Sequence, residues 1–144
     1  LAGAPLLGHV LKSIEAIPAT SSFSSLNGSL SMQRPVVVLG HEGEQVKAVF
    51  GNRCFYAYQE EQLGTGHAVL SAQTAVDALT PLPDIVLVCY GDTPLVRSEI
   101  LADLLVEHVT KKATVTFLTA YAEQPTDFGR IVRDSQGRCA RLSR

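Results

Sequence analysis

Apolar positions along the chain follow two different periods. Leu6, Leu7, Val10, Leu11, Ile14 and Ile17 recur at spacings of three and four behind Pro5, a residue that the first turn of a helix tolerates, so 5–17 is predicted to be an amphipathic helix. His9 flanks its apolar face, with no partner at metal-ligand spacing. Segment 18–33 turns to Ser, Thr, Gly and Asn, which reads as an inserted surface loop without a core position. Residues 35–40 (PVVVLG) form a continuous β-branched run closed by glycine, the form of a strand buried on both faces of a parallel sheet. A helix is predicted over 41–50, with Val46, Val49 and Phe50 on one side, then an aromatic strand over 54–58. A further helix over 67–79 stops at Thr80-Pro81-Leu82-Pro83.

Residues 84–92 (DIVLVCYGD) read as a second fully apolar strand, which delivers Asp92 past its carboxyl end. In open α/β sheets ligands collect at that end. A helix over 94–109 is expected to turn Leu95, Ile100, Leu101, Leu104 and Leu105 inward, followed by a strand over 113–120 and a hairpin of 127–133 around 134–137. Strands and helices alternate without an internal repeat, so the fold class is α/β with a mostly parallel sheet.

Composition changes this picture little. The 144 residues, 46% hydrophobic and 18% charged, have room for one domain with a real core. A net charge of −2 gives no basic footprint for a nucleic-acid polymer or an anionic membrane, and no apolar run is long enough to span a bilayer. Cys54, Cys89 and Cys139 are odd in number and lie in or near apolar runs, which fits reduced core thiols and a cytoplasmic protein better than a disulfide frame. The chain opens on Leu1 and stops at Arg144 in mid-pattern, which reads as a fragment.

Two stretches carry candidate chemistry. In 59–70 (QEEQLGTGHAVL) Gly64 and Gly66 lead from a strand into a helix; this is either an anion site at a helix entrance or a plain βα turn, with the turn favoured for so short a pattern. Asp92 has two readings of equal standing, a ligand for a hard cation such as Mg²⁺ or an N-cap for the helix after Pro94. No GxSxG or catalytic Cys/His spacing occurs, the four histidines are scattered, and the adjacent Glu60 and Glu61 do not form a glycosidase-like pair.

In order, QLGTGHAV, CYGDTPLV and DFGRIVR resemble the uridylyltransferase domain of the bacterial bifunctional N-acetylglucosamine-1-phosphate uridylyltransferase/glucosamine-1-phosphate acetyltransferases, within the wider sugar-nucleotide pyrophosphorylase (MobA-like NTP transferase) group. The opening LAGAPLLGHV is similar to the segment that follows this family's nucleotide loop. The resemblance implies a Rossmann-like, three-layer α/β/α nucleotide-diphospho-sugar transferase sheet, incomplete at both ends. It implies Gln59 at the uracil base, Gly64 and Thr65 at the uridine, Tyr90-Gly91-Asp92 as the family's YGD with Asp92 on Mg²⁺, and Gly129 against the N-acetylhexosamine. It therefore tilts Asp92 toward the metal reading and moves the 59–70 stretch from the phosphates to the base. The implied reaction joins UTP and N-acetylglucosamine 1-phosphate. Its alternatives are another base or sugar, or a noncatalytic nucleotide-sugar-binding paralogue. The family's glycine-rich loop with its arginine and lysine is not among these residues, nor are the later glutamate and asparagines of the sugar and metal sites. By the resemblance, these 144 residues alone are expected to be inactive, to leave apolar strand edges open, and to belong to a longer protein that can form a homo-oligomer.

Overall fold

The computed structural model describes residues 3–26, 28, 30–121, 123 and 129–143. The chain divides into two units, Leu1–Thr114 and Val115–Arg144.

In the first unit the helical period holds where it was strongest. Helix α1 (Leu6–Ala16) buries Val10 and Leu11, with Pro5 as its cap, and runs into a 3₁₀ turn over Ile17–Ala19. The serine-rich segment departs from expectation. It begins with a short helix α2 (Ser21–Ser24), capped by the Thr20 hydroxyl, which accepts from the Phe23 N–H at 3.2 Å. Phe23 enters the core with Ile17, Leu101, Ala102 and Leu105, and Leu26 and Leu30 pack against them. A polar segment with one phenylalanine and two leucines at its disposal still buries them, so 18–33 is not purely a surface loop.

Strands β1 (Val36–Leu39) and β2 (Phe55–Tyr58) pair in parallel, Val36 opposite Phe55 through Leu39 opposite Tyr58. A parallel pair needs a crossover, and helix α3 (Gly43–Phe50) supplies it. Gly43 is the close-approach point, since a Cβ there would lie 2.7 Å from Leu39 Cβ. Val49, expected on the inner side of this helix, is 63% exposed. Only eight residues form the helix, and its Phe50 ring packs near Gly8 of α1 instead. The next predicted helix is broken at Ala72 into α4 (Thr65–Ser71) and α5 (Gln73–Asp77).

Two expected strands do not form. Neither 84–92 nor 113–120 joins a ladder among the described residues. Pairing is a property of two backbones, so an apolar run becomes a strand only where a neighbour supplies complementary groups. In the first unit that run keeps the period of a strand without its bonds. Ile85, Leu87 and Cys89 pack on the helical core, while Val86, Val88 and Tyr90 are exposed. Helix α6 (Ser98–Thr110) begins four residues later than Pro94, and Leu95, expected inward, is 80% exposed because it precedes the helix. Leu101, Ala102 and Leu105 form its buried face.

The second unit contains the expected hairpin. Strands β3 (Arg130–Arg133) and β4 (Cys139–Ser143) pair antiparallel around a turn in which Asp134 Oδ1 accepts from the N–H groups of Gln136 and Arg138, both at 2.9 Å. These bonds, with the Arg138 backbone N–H first, hold the Asp134 carboxyl below its ordinary value. Asp127 and Phe128 lie outside the described residues. The three cysteines are free, but only Cys54 is buried; Cys89 is half-buried and Cys139 exposed. Burial pushes the Cys54 and Cys89 thiols up, away from reactivity.

Gly43→Ala forces Leu39 and α3 apart and is expected to cost about 1–3 kcal/mol in urea unfolding; an unchanged midpoint would show that the helix shifts freely. Glu15 accepts from Arg53 Nε at 2.6 Å and Nη2 at 2.7 Å, which holds its carboxyl below 4.5, the ordinary value. A depressed carboxylate stabilises above its unfolded value and loses that contribution as pH falls through the lower folded value. Both side chains are over a third exposed, so Glu15→Gln is expected to cost at most about 1 kcal/mol near neutrality. The two unfolding curves should converge as pH falls through that lowered value.

Candidate functional site

The carboxyl ends of β1 and β2 open onto a cleft of about 390 Å³ lined by Gly40, His41, Tyr58, Gln59, Glu60 and Gln62. A larger groove of about 510 Å³ involves Arg34, Asn52 and Cys54, residues that precede the strands. The former lies where α/β sheets place ligands.

Gln59 is the first residue past β2, and its backbone N–H donates to the Leu39 carbonyl at 2.7 Å, which extends the ladder by one bond. Its side-chain Nε2 donates to the Gly64 carbonyl at 3.1 Å and stands 3.1 Å from His67 Nδ1. Gly64 caps α4 with φ +101°, a conformation that favours glycine over any side chain. The Gly64 carbonyl also accepts from the Ala68 N–H at 3.1 Å, and Thr65 is the first helical residue. Gln59, Gly64 and Thr65 are thus brought together. Helix α4 is short, with only seven residues. Tyr58, at the cleft edge, donates from its hydroxyl to Glu44 at 2.6 Å, and that bond first of all pushes the phenol up.

Tyr90, Gly91 and Asp92 occupy a turn after the extended run. The Thr93 N–H and hydroxyl both donate to the Tyr90 carbonyl, at 3.4 and 3.0 Å. Leu7 of α1 approaches this turn, with its Cδ1 at 3.6 Å from where a Cβ on Gly91 would stand. Asp92 does not cap a helix. Arg97 holds the cap position of α6, so the capping alternative is overturned by the non-helical stretch of 94–97. Asp92 is exposed, and no group of three or more His, Cys, Asp or Glu side chains is arranged to hold a metal among the described residues. A single exposed carboxylate fits a hard cation only if substrate phosphates and water complete the shell, which is how Mg²⁺ is commonly held.

Gly129 belongs to the second unit and is considered by itself. Among the described residues a Cβ there would meet the Ser143 carbonyl alone, at 3.8 Å, which is ordinary contact. The described residues therefore do not demand glycine at this position.

The sequence did not single out the partnership of His67 with Gln59, nor the approach of Leu7 to Gly91. The first joins the residue just past a strand end to the first turn of a helix across the loop of 59–64, and only the path of that loop decides it. No helix of the described residues is long and apolar enough to cross a membrane.

The nucleotidyl transferase family model matches residues 31–143. Curated relatives include the bifunctional protein GlmU of Streptococcus equi subsp. zooepidemicus, 42% identical over 95% of this chain and 26% of its own length. The GlmU proteins of Enterococcus faecalis and of a Streptococcus pyogenes serotype M12 strain are 40% and 38% identical, each over 99% of this chain and over 28% and 30% of their own lengths. The chain thus spans between a quarter and a third of the relatives it matches. With the family model covering most of the chain, the α/β frame and the parallel pair that opens onto the Gln59 cleft are those of a nucleotidyltransferase sheet, Rossmann-like but small and incomplete, and the chain belongs to the nucleotidyl transferase family.

Proposed function

We propose that this chain is the nucleotide-selecting part of a uridylyltransferase, which joins UTP and a sugar 1-phosphate, N-acetylglucosamine 1-phosphate, into a UDP-sugar and pyrophosphate. The observation that carries the reading is the Gln59 amide, held at the carboxyl end of a parallel strand pair by Gly64 and His67. A buried or half-buried amide that reads a base edge rejects wrong bases by leaving polar groups unpaired. Gly64 and Thr65 stand beside it for the rest of the uridine. The similarity to the GlmU proteins supports the sugar and the base.

In this reaction an oxygen of the sugar phosphate attacks the α-phosphorus of UTP. One P–O bond forms, the bond to the bridging oxygen breaks, and pyrophosphate leaves. The protein then needs no nucleophile of its own, and none is evident in the sequence. Positioning and charge do most of the work. Asp92 is the residue that would hold Mg²⁺, which when bound supplies positive charge against the phosphates. Tyr90 and Gly91 shape the turn that presents Asp92. Gly129 would leave room for the N-acetylhexosamine, since the described residues around it do not require a glycine there.

These 144 residues contain no glycine-rich loop with an arginine and a lysine to cradle the triphosphate. By themselves they are expected to turn over little or not at all. Pyrophosphate release from UTP and N-acetylglucosamine 1-phosphate is the test, on the 144 residues and on a longer protein that contains them. Asp92→Asn in the longer protein is expected to lower kcat by about 10²-fold or more, the scale of metal-held charge stabilisation. Full activity in the short chain would overturn the expected inactivity, full activity with Asp92→Asn would overturn the role of Asp92, and no pyrophosphate release from the longer protein would overturn the assignment.

A further inference from the structure

The contact between Gln59 and His67 asks more of the site than proximity. Both hydrogens of the Gln59 amide nitrogen have acceptors at 3.1 Å, the Gly64 carbonyl and His67 Nδ1. A carbonyl can only accept, so a reversed amide would set two oxygens against each other; the orientation is fixed by the Gly64 partner. His67 Nδ1 must then be the unprotonated ring nitrogen, with the proton on Nε2. Gln59 Oε1 has no hydrogen-bond partner among the described residues, which leaves it as the one group the amide offers to a ligand.

We infer that His67 is a positioning residue: together with Gly64 it locks the Gln59 amide with its carbonyl outward, and this selects a pyrimidine with a ring N–H donor, uracil, against cytosine. The inference rests on the uridylyltransferase reading above. Uracil carries a hydrogen on N3 and can donate to Oε1. Cytosine N3 is a bare acceptor and would face Oε1 lone pair to lone pair. An amide free to turn over would offer its NH₂ group to cytosine instead, so the discrimination depends on the lock and not on glutamine alone. His67 is well placed for this part, because its own backbone is fixed independently in α4, where its carbonyl accepts from Ser71 Oγ at 2.8 Å.

The test compares three variants in a longer protein that contains this chain, by kcat/KM for UTP and for CTP. The side-chain oxygen of asparagine falls near the place of His67 Nδ1, whereas that of glutamine falls near Nε2, and phenylalanine keeps the ring without an acceptor. His67→Phe and His67→Gln are expected to raise KM for UTP and to lower the UTP/CTP preference by about 2- to 10-fold, the equivalent of one net hydrogen bond. Changes in kcat should be smaller. His67→Asn is expected to restore the preference. An unchanged preference in the Phe variant, or no difference between Asn and Gln, would overturn the positioning role while leaving the uridylyltransferase assignment intact. Failure of the unaltered protein to use UTP would instead remove the assignment itself. Nitrogen-15 NMR of the unaltered protein reads the tautomer directly: an unprotonated Nδ1 at neutral pH supports the lock, and a proton on Nδ1 refutes it, whether or not any variant folds.

Discussion

The parallel pairing of β1 with β2 is the constraint on which the first unit's candidate site depends. Parallel strands point the same way, so their carboxyl ends lie together, and the loops that leave them share one space. Four residue pairs and two flanking backbone bonds, from Phe55 to the Pro35 carbonyl and from Gln59 to that of Leu39, set the register. The crossover must return within a short helix, and Gly43 lets that helix lie directly against Leu39. Without that approach α3 would stand away from the sheet, and Glu44 would not reach Tyr58 at the cleft edge.

Around this pair the molecule separates two tasks. Side-chain burial holds α1, α2 and α6 together through Ile17, Phe23, Leu101, Ala102 and Leu105. Polar bonds of definite direction shape the cleft, because Gln59, Gly64 and His67 are tied through donor and acceptor and not through apolar area. Burial tolerates repacking, whereas a directed bond distinguishes one partner from another. That division suits the base-reading role proposed for the cleft.

Much of the fold was legible from periodicity. Helices α1 and α6, the β1 and β2 runs and the hairpin of the second unit all stand near where their patterns put them, since each is set by neighbours in sequence or by one strong apolar stripe. What failed depended on partners distant in sequence. The run at 84–90 has the composition of a buried strand but no ladder, Phe23 found a core that its serine-rich surroundings did not announce, and Leu95 fell outside the helix that was to turn it inward. The site shows the same split. Gln59, Gly64 and Thr65 are close in sequence and were read together, whereas the role of His67 depends on a tautomer, which no residue pattern encodes.

The extended run at 85–89 bears on Asp92 in a further way. Its alternate side chains, Ile85, Leu87 and Cys89, rest on the helical core, while no ladder is formed along it among the described residues. A strand inside a sheet is held along its length by hydrogen bonds whose spacing admits no half-steps. Among the described residues this one is held by contact with the core, which resists sliding far less sharply. The carboxylate at its end is therefore placed with a looser tolerance than the amide of Gln59. The amide ends a hydrogen-bonded ladder, whereas the carboxylate ends a segment that rests on packing.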